Sequence, residues 1–88
     1  MNPTDFTAQL TADGISNVVT VERDPNGFVD EHSHPFASRA LILEGEITLV
    51  VRGQETVYRT GDVFQLAAGE SHTERYGPSG VRYLVGRK

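Results

Sequence analysis

Eighty-eight residues with 8 Lys and Arg against 12 Asp and Glu, a net charge of −4, leave no basic face for gripping phosphate, so nucleic acid is not an expected partner. The chain has no cysteine, which removes disulfides, thiolate chemistry and cysteine-ligated zinc. A chain of this size buries only about 60–65% of the surface it exposes when unfolded, so one domain with one small core is expected, and self-association would add stability.

Residues 1–14, MNPTDFTAQLTADG, have neither the basic nor the apolar stretch of a leader and read as a loosely held N-terminal arm ahead of a single domain over residues 15–88. No later apolar run approaches the ~20 residues a bilayer requires, so the expectation is a soluble, cytoplasmic protein with no membrane partner. From there the chain breaks into short β-branched or aromatic runs: ISNVVTVE, RALILEGE, EITLVVRG, ETVYRTGD, DVFQLAAG, SHTERYG and VRYLVGR. Glycine, Asp24-Pro25-Asn26-Gly27 and Gly77-Pro78-Ser79-Gly80 punctuate them, and both four-residue stretches read as turns, with proline presetting φ and Asn or Gly accepting the unusual φ that follows. No stretch has a convincing helical period. The pattern is that of an all-β protein, a small antiparallel β-barrel or jelly roll.

Within DEHSHPFASRALILEG, His32 and His34 stand one residue apart, and on a strand residues i and i+2 face the same side. Such a pair taken alone is most often a surface feature, but two imidazoles on one face can also chelate a metal. The spacing around the pair is more specific. G-FVDE-HSH-PFA-S-RALILE-G, followed by G-DVFQL-A-A-G-ES-H-TER-Y, resembles the two motifs of the cupin family, with Gly45, Gly61 and Gly69 on the family glycines and His32, His34 and His72 on the three family histidines. All three histidines of the chain are used. The resemblance covers about residues 27 to 76 and implies a cupin barrel with a three-histidine metal site formed by His32, His34 and His72.

The departures concern the ligand set. Gly27 lies one residue closer to His32 than the motif expects, Ala67 stands in place of proline and Tyr76 in place of asparagine. Ser38 occupies the position of the family's glutamate ligand, and a hydroxyl is a poor ligand beside three imidazoles. Glu74, two residues beyond His72 and on the same strand face, is the candidate to replace it; the competing reading has Glu74 held by Arg39, Arg75 or Arg82. Tyr76 follows on that face and could act as a general base or orient a water. Glu31 has the wrong parity and Asp30 lies at the mouth, so both are expected in solvent. Phe36, Phe64, Tyr58 and Tyr83 read as core more than as pocket.

With three neutral imidazoles and no protein carboxylate, a divalent centre would keep its full +2 charge and favour an anionic, chelating co-ligand. Imidazole suits Fe, Zn, Ni and Cu alike, and Mn is not excluded. The resemblance then implies a metal-binding protein, in its sharpest form a non-haem metal-dependent oxygenase acting on a small polar molecule, as three-histidine cupin dioxygenases act on small thiols or diketones. The alternative is a small-molecule binding or sensing module without catalysis. A metal-free barrel with hydrogen-bonding histidines is the third reading. Finally, both faces of residues 40–51 are apolar, Ala40 and Ile42 alternating with Leu41 and Leu43, so the outer face needs a cover, and a second copy in a homodimer is the expected one.

Overall fold

A computed structural model describes all residues, 1–88. Its spine is a single pairing. The apolar run after Ser38 and the run that begins at His72 form two long strands, β3 (Ser38–Val51) and β6 (His72–Arg87), antiparallel from Ser38↔Arg87 to Val51↔His72. Four shorter strands dock on their edges: β1 (Asn17–Arg23), β2 (Phe28–His32), β4 (Gln54–Arg59) and β5 (Val63–Leu66). β1 takes residues 81–87 of β6 and β2 takes residues 72–75, while β5 takes residues 38–41 of β3 and β4 takes residues 46–51. Two half-sheets result, β1-β6-β3-β5 and β2-β6-β3-β4, each with its own edge strands but sharing the two long ones. Their inner faces close on one core that holds Ala40, Ile42 and Phe64 from the first half and Ile47, Leu49 and Tyr76 from the second. The expected antiparallel all-β jelly roll is present.

The corner between the halves is where the expected second turn falls. Gly77-Pro78-Ser79-Gly80 does not close a hairpin; it bulges out of β6, because between Gly45↔Val81 and Ile47↔Tyr76 the partner strand contributes only Glu46. Proline lacks the N–H that a ladder needs, so a bulge is where a strand tolerates it. The backbones come close here: a Cβ on Gly45, whose φ is +75°, would stand 2.1 Å from the Gly80 carbonyl oxygen. Only glycine fits that approach. The first expected turn is present, with Asn26 at φ 57°.

The N-terminal arm expected over residues 1–14 is instead anchored by a helix, α1 (Pro3–Ala12). The Asn2 side chain caps it by accepting from the Asp5 N–H at 2.8 Å, and Pro3 sits at the first turn where its missing N–H costs nothing. Phe6 and Leu10, one turn apart, are fully buried against Ile15 and Leu41. Leu10 and Ile15 pack so close over Gly86 that a Cβ there would meet each at 2.9 Å. Arg39 pairs with Asp13 at 2.6 Å and Lys88 Nζ donates to the Asp13 carbonyl at 3.1 Å, tying the helix end to the sheet. The outer face of β3 at Leu41 is thus covered by the chain's own helix.

Each of Phe6 and Leu10 contributes on the order of 1.5–3 kcal/mol of apolar burial. Leu10→Ala is therefore expected to lower unfolding free energy in urea by about 2–5 kcal/mol, since the void lies between two rigid partners. A loss of a few tenths would show that α1 is not docked in solution.

Candidate metal centre

Strand register delivers the site. His32 ends β2 and His72 begins β6, and the two are direct cross-strand partners, with a bulge between Val29 and His32 that re-aims the end of β2. Alternation along β6 then turns His72, Glu74 and Tyr76 to the same inner face. His34 follows two residues past His32, and its carbonyl accepts from the Gly69 N–H at 2.7 Å, which holds that connection against the loop preceding His72. One donor atom from each of His32, His34, His72 and Glu74 lies within 4.8 Å of the others.

The hydrogen bonds determine what this cluster can hold. His32 Nδ1 meets the Asp30 carbonyl at 2.8 Å and His72 Nδ1 meets the Glu70 carbonyl at 2.9 Å. A carbonyl can only accept, so each Nδ1 carries the proton and each Nε2 presents a lone pair inward. Those lone pairs face Glu74 Oε2, also an acceptor, at 3.0 Å from His32 Nε2 and 3.4 Å from His72 Nε2. His72 is 2% exposed, and its Nε2 is buried with no hydrogen-bond partner. Three acceptors pointed at one another repel unless something positive lies among them. Protonating both rings would set two like charges side by side, with ring centroids 4.3 Å apart, against one carboxylate. A divalent cation meets the same need through one centre. Two donors each about 2.1 Å from one ion stand about 3.0 Å apart at an octahedral angle and about 3.4 Å apart at a tetrahedral one, so the two histidine–carboxylate separations fit.

Glu74 is not captured by the arginines that competed for it. Arg39, Arg75 and Arg82 pair with Asp13, Glu55 and Glu44. The expectation of a centre without a protein carboxylate is therefore corrected: the barrel brings one in from β6. Ser38 lines the same cavity. Tyr76 donates its hydroxyl to Glu74 Oε1 at 2.9 Å, which leaves Oε2 for the centre. Burial and the Glu74 charge hold the Tyr76 phenol well above its usual range, so it stays protonated and works as a donor rather than as a base. His34 is pushed the other way, below the usual imidazole value, first by burial and then by His32 and His72 beside it.

In front of the donors opens a cavity of about 300 Å³. Phe64 and Tyr83 are core, as expected, and form part of its wall, whereas Phe36 stands near the donors, stacked on His34 at 5.1 Å. Two charged lining residues were not singled out from the sequence: Arg23 and Arg87. Parity is the signal that could have found them, since Arg23 shares a strand face with Val21 and Arg87 shares one with Tyr83 and Val85. Burial and Glu74 push the Tyr83 phenol up to about 12, while Arg23 and Arg87 pull it down, so its hydroxyl lies in the field of both guanidiniums.

The sequence matches the family model described as "Cupin domain" over residues 19–84. No curated protein matches it. Among solved structures, a Rhizobium leguminosarum bv. viciae 3841 protein of unknown function is similar at a TM-score of 0.75 and 16% identity, over 80% of this chain and 66% of that one. The polyketide cyclase RemF from Streptomyces resistomycificus is similar at a TM-score of 0.66 and 30% identity, over 88% of this chain and 58% of that one. An oxalate decarboxylase with Mn(II) centres from Bacillus subtilis is similar at a TM-score of 0.69 and 20% identity, over 81% of this chain and 20% of that one. The chain spans less than two thirds of the length of each of these three. The family match runs from within β1 to within β6 and includes all three histidines and Glu74, and on that extent the chain belongs to the cupin family.

Proposed function

We propose that His32, His34, His72 and Glu74 bind a divalent metal ion and that the chain is a metal-dependent enzyme, most specifically an oxygenase, acting on a small polar molecule held in the cavity in front of them. The observation that carries this reading is the buried His72 Nε2, which has no hydrogen-bond partner and faces a second imidazole lone pair and a carboxylate oxygen. Similarity to an oxalate decarboxylase with Mn(II) centres supports the metal, and similarity to a polyketide cyclase supports an oxygen-bearing organic substrate.

When bound, a divalent ion supplies Lewis-acid polarisation of a substrate oxygen and, if redox-active, a place for O2. The protein's share is positional and electrostatic. Glu74 offsets one of the two positive charges, so less is left for an anionic substrate oxygen to balance than three imidazoles alone would leave. Tyr76 fixes the carboxylate by occupying Oε1, and Nδ1 bonds to two backbone carbonyls fix the His32 and His72 rings. Phe36, Phe64, Leu66 and Val85 make the adjoining wall apolar, which keeps water down and strengthens each polar contact inside.

Protein purified without a histidine tag is expected to carry about one divalent ion per chain. His72→Ala should abolish that content while Ser38→Ala retains it; equal losses would sink the assignment. Tyr76→Phe should bind the ion about 10- to 100-fold more weakly without unfolding, because it frees the Glu74 carboxylate to turn. Loaded anaerobically with iron(II) and given small thiols, diketones and hydroxy acids in turn, the protein should consume O2 only with metal and one chelating substrate both present. Tight binding with no turnover under any metal would move the reading to a binding or sensing module.

The lowered His34 value sets a pH dependence in the metal-free protein. The unfolded ring titrates near about 6.5. Between that value and the lower native one, the unfolded chain holds more protons than the folded chain, so stability rises with pH there. The contribution of the neutral ring is present above about 6.5 and is lost as pH falls through the native value. Melting temperature should drop on going from pH 7 to pH 5, and His34→Gln should flatten that drop. Parallel profiles for parent and variant would contradict the shift.

A further inference from the structure

The cavity's charge is out of keeping with the rest of the molecule. The chain carries −4 overall, and Arg39, Arg52, Arg75 and Arg82 each pair with a carboxylate. Arg23 and Arg87 line the cavity and pair with none, and Glu74 is its only acidic lining residue. Two guanidiniums against one carboxylate leave the lining with a net positive charge, which a bound divalent ion would raise further. Arg87 is half-buried without a counter-ion, while Arg23 is exposed and donates to the Glu22 carbonyl at 2.9 Å; each carries a planar fork of donors that matches a carboxylate.

The arginines are also placed apart. Arg23 stands opposite Val81 and Arg87 opposite Asn17, so they enter from the two ends of the β1–β6 ladder, about 20 Å long over six residue steps. They flank one wall, with Tyr83 and Val85 between them on the inner face. Arg87 lies over the Phe36 ring at 5.2 Å, and Phe36 stacks on His34, so one ring separates this guanidinium from a donor of the cluster. Arg23 lies on the other side, near the Tyr76 hydroxyl that holds Glu74. A volume of about 300 Å³ admits about ten waters, hence a small organic molecule and not a polymer.

We infer that the substrate is a small organic dianion, with two carboxylates or a carboxylate and an enolate, and that Arg23 and Arg87 are the residues that select it. With a divalent ion bound, one anionic group turns toward the histidine–glutamate cluster and the other is taken by a guanidinium, Arg87 foremost; in the metal-free protein, where the cluster presents only acceptors, the guanidiniums alone hold the anion. This deepens the proposed function by naming the substrate class and rests on the same cavity, but it does not need the metal to be tested.

The probes are malonate and succinate, each against its monoamide, titrated calorimetrically into metal-free protein and into zinc-loaded protein. The dianions should bind at least tenfold more tightly than the monoamides in the zinc-loaded form and by a smaller margin in the metal-free form, where only the guanidiniums attract the second anionic group. Arg87→Met should cost about 10- to 100-fold in dianion affinity and little for the monoamide. Arg87→Lys should recover part of the loss, since it restores charge without the fork. Arg23→Met should weaken dianions in the same sense, and Arg82→Met, outside the cavity, should change nothing. If an arginine variant fails to fold, the parent's preference for dianion over monoamide decides. Equal affinities for the two, or a preference seen only with zinc and unmoved by Arg87→Met, would overturn the inference, the second because the metal alone would be doing the recognising. A preference that persists in a protein unable to hold any divalent ion would leave this inference standing and remove the metal-centred reading instead.

Discussion

Everything at the site depends on the register of β3 against β6. The side-chain period of a strand is two, so a slip of one residue would carry His72, Glu74 and Tyr76 to solvent and bring Thr73 and Arg75 inside. The pairing is held against such a slip at its corner, where a Cβ on Gly45 would stand 2.1 Å from the Gly80 carbonyl oxygen and one on Gly80 would stand 2.4 Å from the Arg23 carbonyl oxygen. The corner also resets parity. Ile42 and Ile47 are both core, five residues apart, and so are Tyr76 and Val81. Both strands change phase at the same place, which lets one continuous pairing contribute inward faces to two half-sheets and lets the bulge at residues 77–80 pass without disturbing either.

Buried acceptors are normally satisfied, and leaving one unmade costs on the order of 1–3 kcal/mol. Here the barrel accepts that cost at His72 Nε2 while using both Nδ1 protons to lock the rings toward the same point. A core selected for stability alone would turn Glu74 Oε2 toward a donor. Tyr76 could serve as that donor for either oxygen, yet it bonds Oε1 and leaves the oxygen nearer the histidines open. The polar network is completed on its outer side and incomplete on its inner side, which is the arrangement expected of a site preorganised for a cation.

The three histidines and their glycines were legible in the sequence because spacing alone fixes them. Gly45, Gly61 and Gly69 have φ values of 75°, 91° and 76°, a backbone that most other residues resist, so glycine must recur at those points. The facing of Glu74 could be read from parity, but its partner could not: whether an arginine or a histidine meets it depends on strands distant in sequence. Gly77-Pro78-Ser79-Gly80 has the chemistry of a turn and serves as a bulge, a difference made by the four residues being looped out of a pairing that resumes beyond them. Helix α1 escaped notice because only Phe6 and Leu10 among its ten residues are buried, too few to establish a helical period. The second copy expected over the apolar outer face of residues 40–51 is not needed at Leu41, which the helix covers.

That helix does more than cover Leu41. Its last turn packs on Gly86, and the Asp13 that follows it holds both Arg39 and Lys88, so α1 grips the end of β6 from two sides of Arg87. The same end is tied across to the cavity wall, because Ala37 and Lys88 exchange backbone hydrogen bonds at 3.0 and 2.9 Å, next to Ser38. A strand terminus is ordinarily where a sheet frays. Here the last residue of β6 is an arginine lining the cavity, and fraying of the strand would withdraw its guanidinium from Phe36 and from the neighbourhood of His34. The docking of two apolar side chains on the outer face of the barrel therefore fixes the position of a charge on its inner face, and the small second core around Phe6 and Leu10 supports the site as much as it supports the fold.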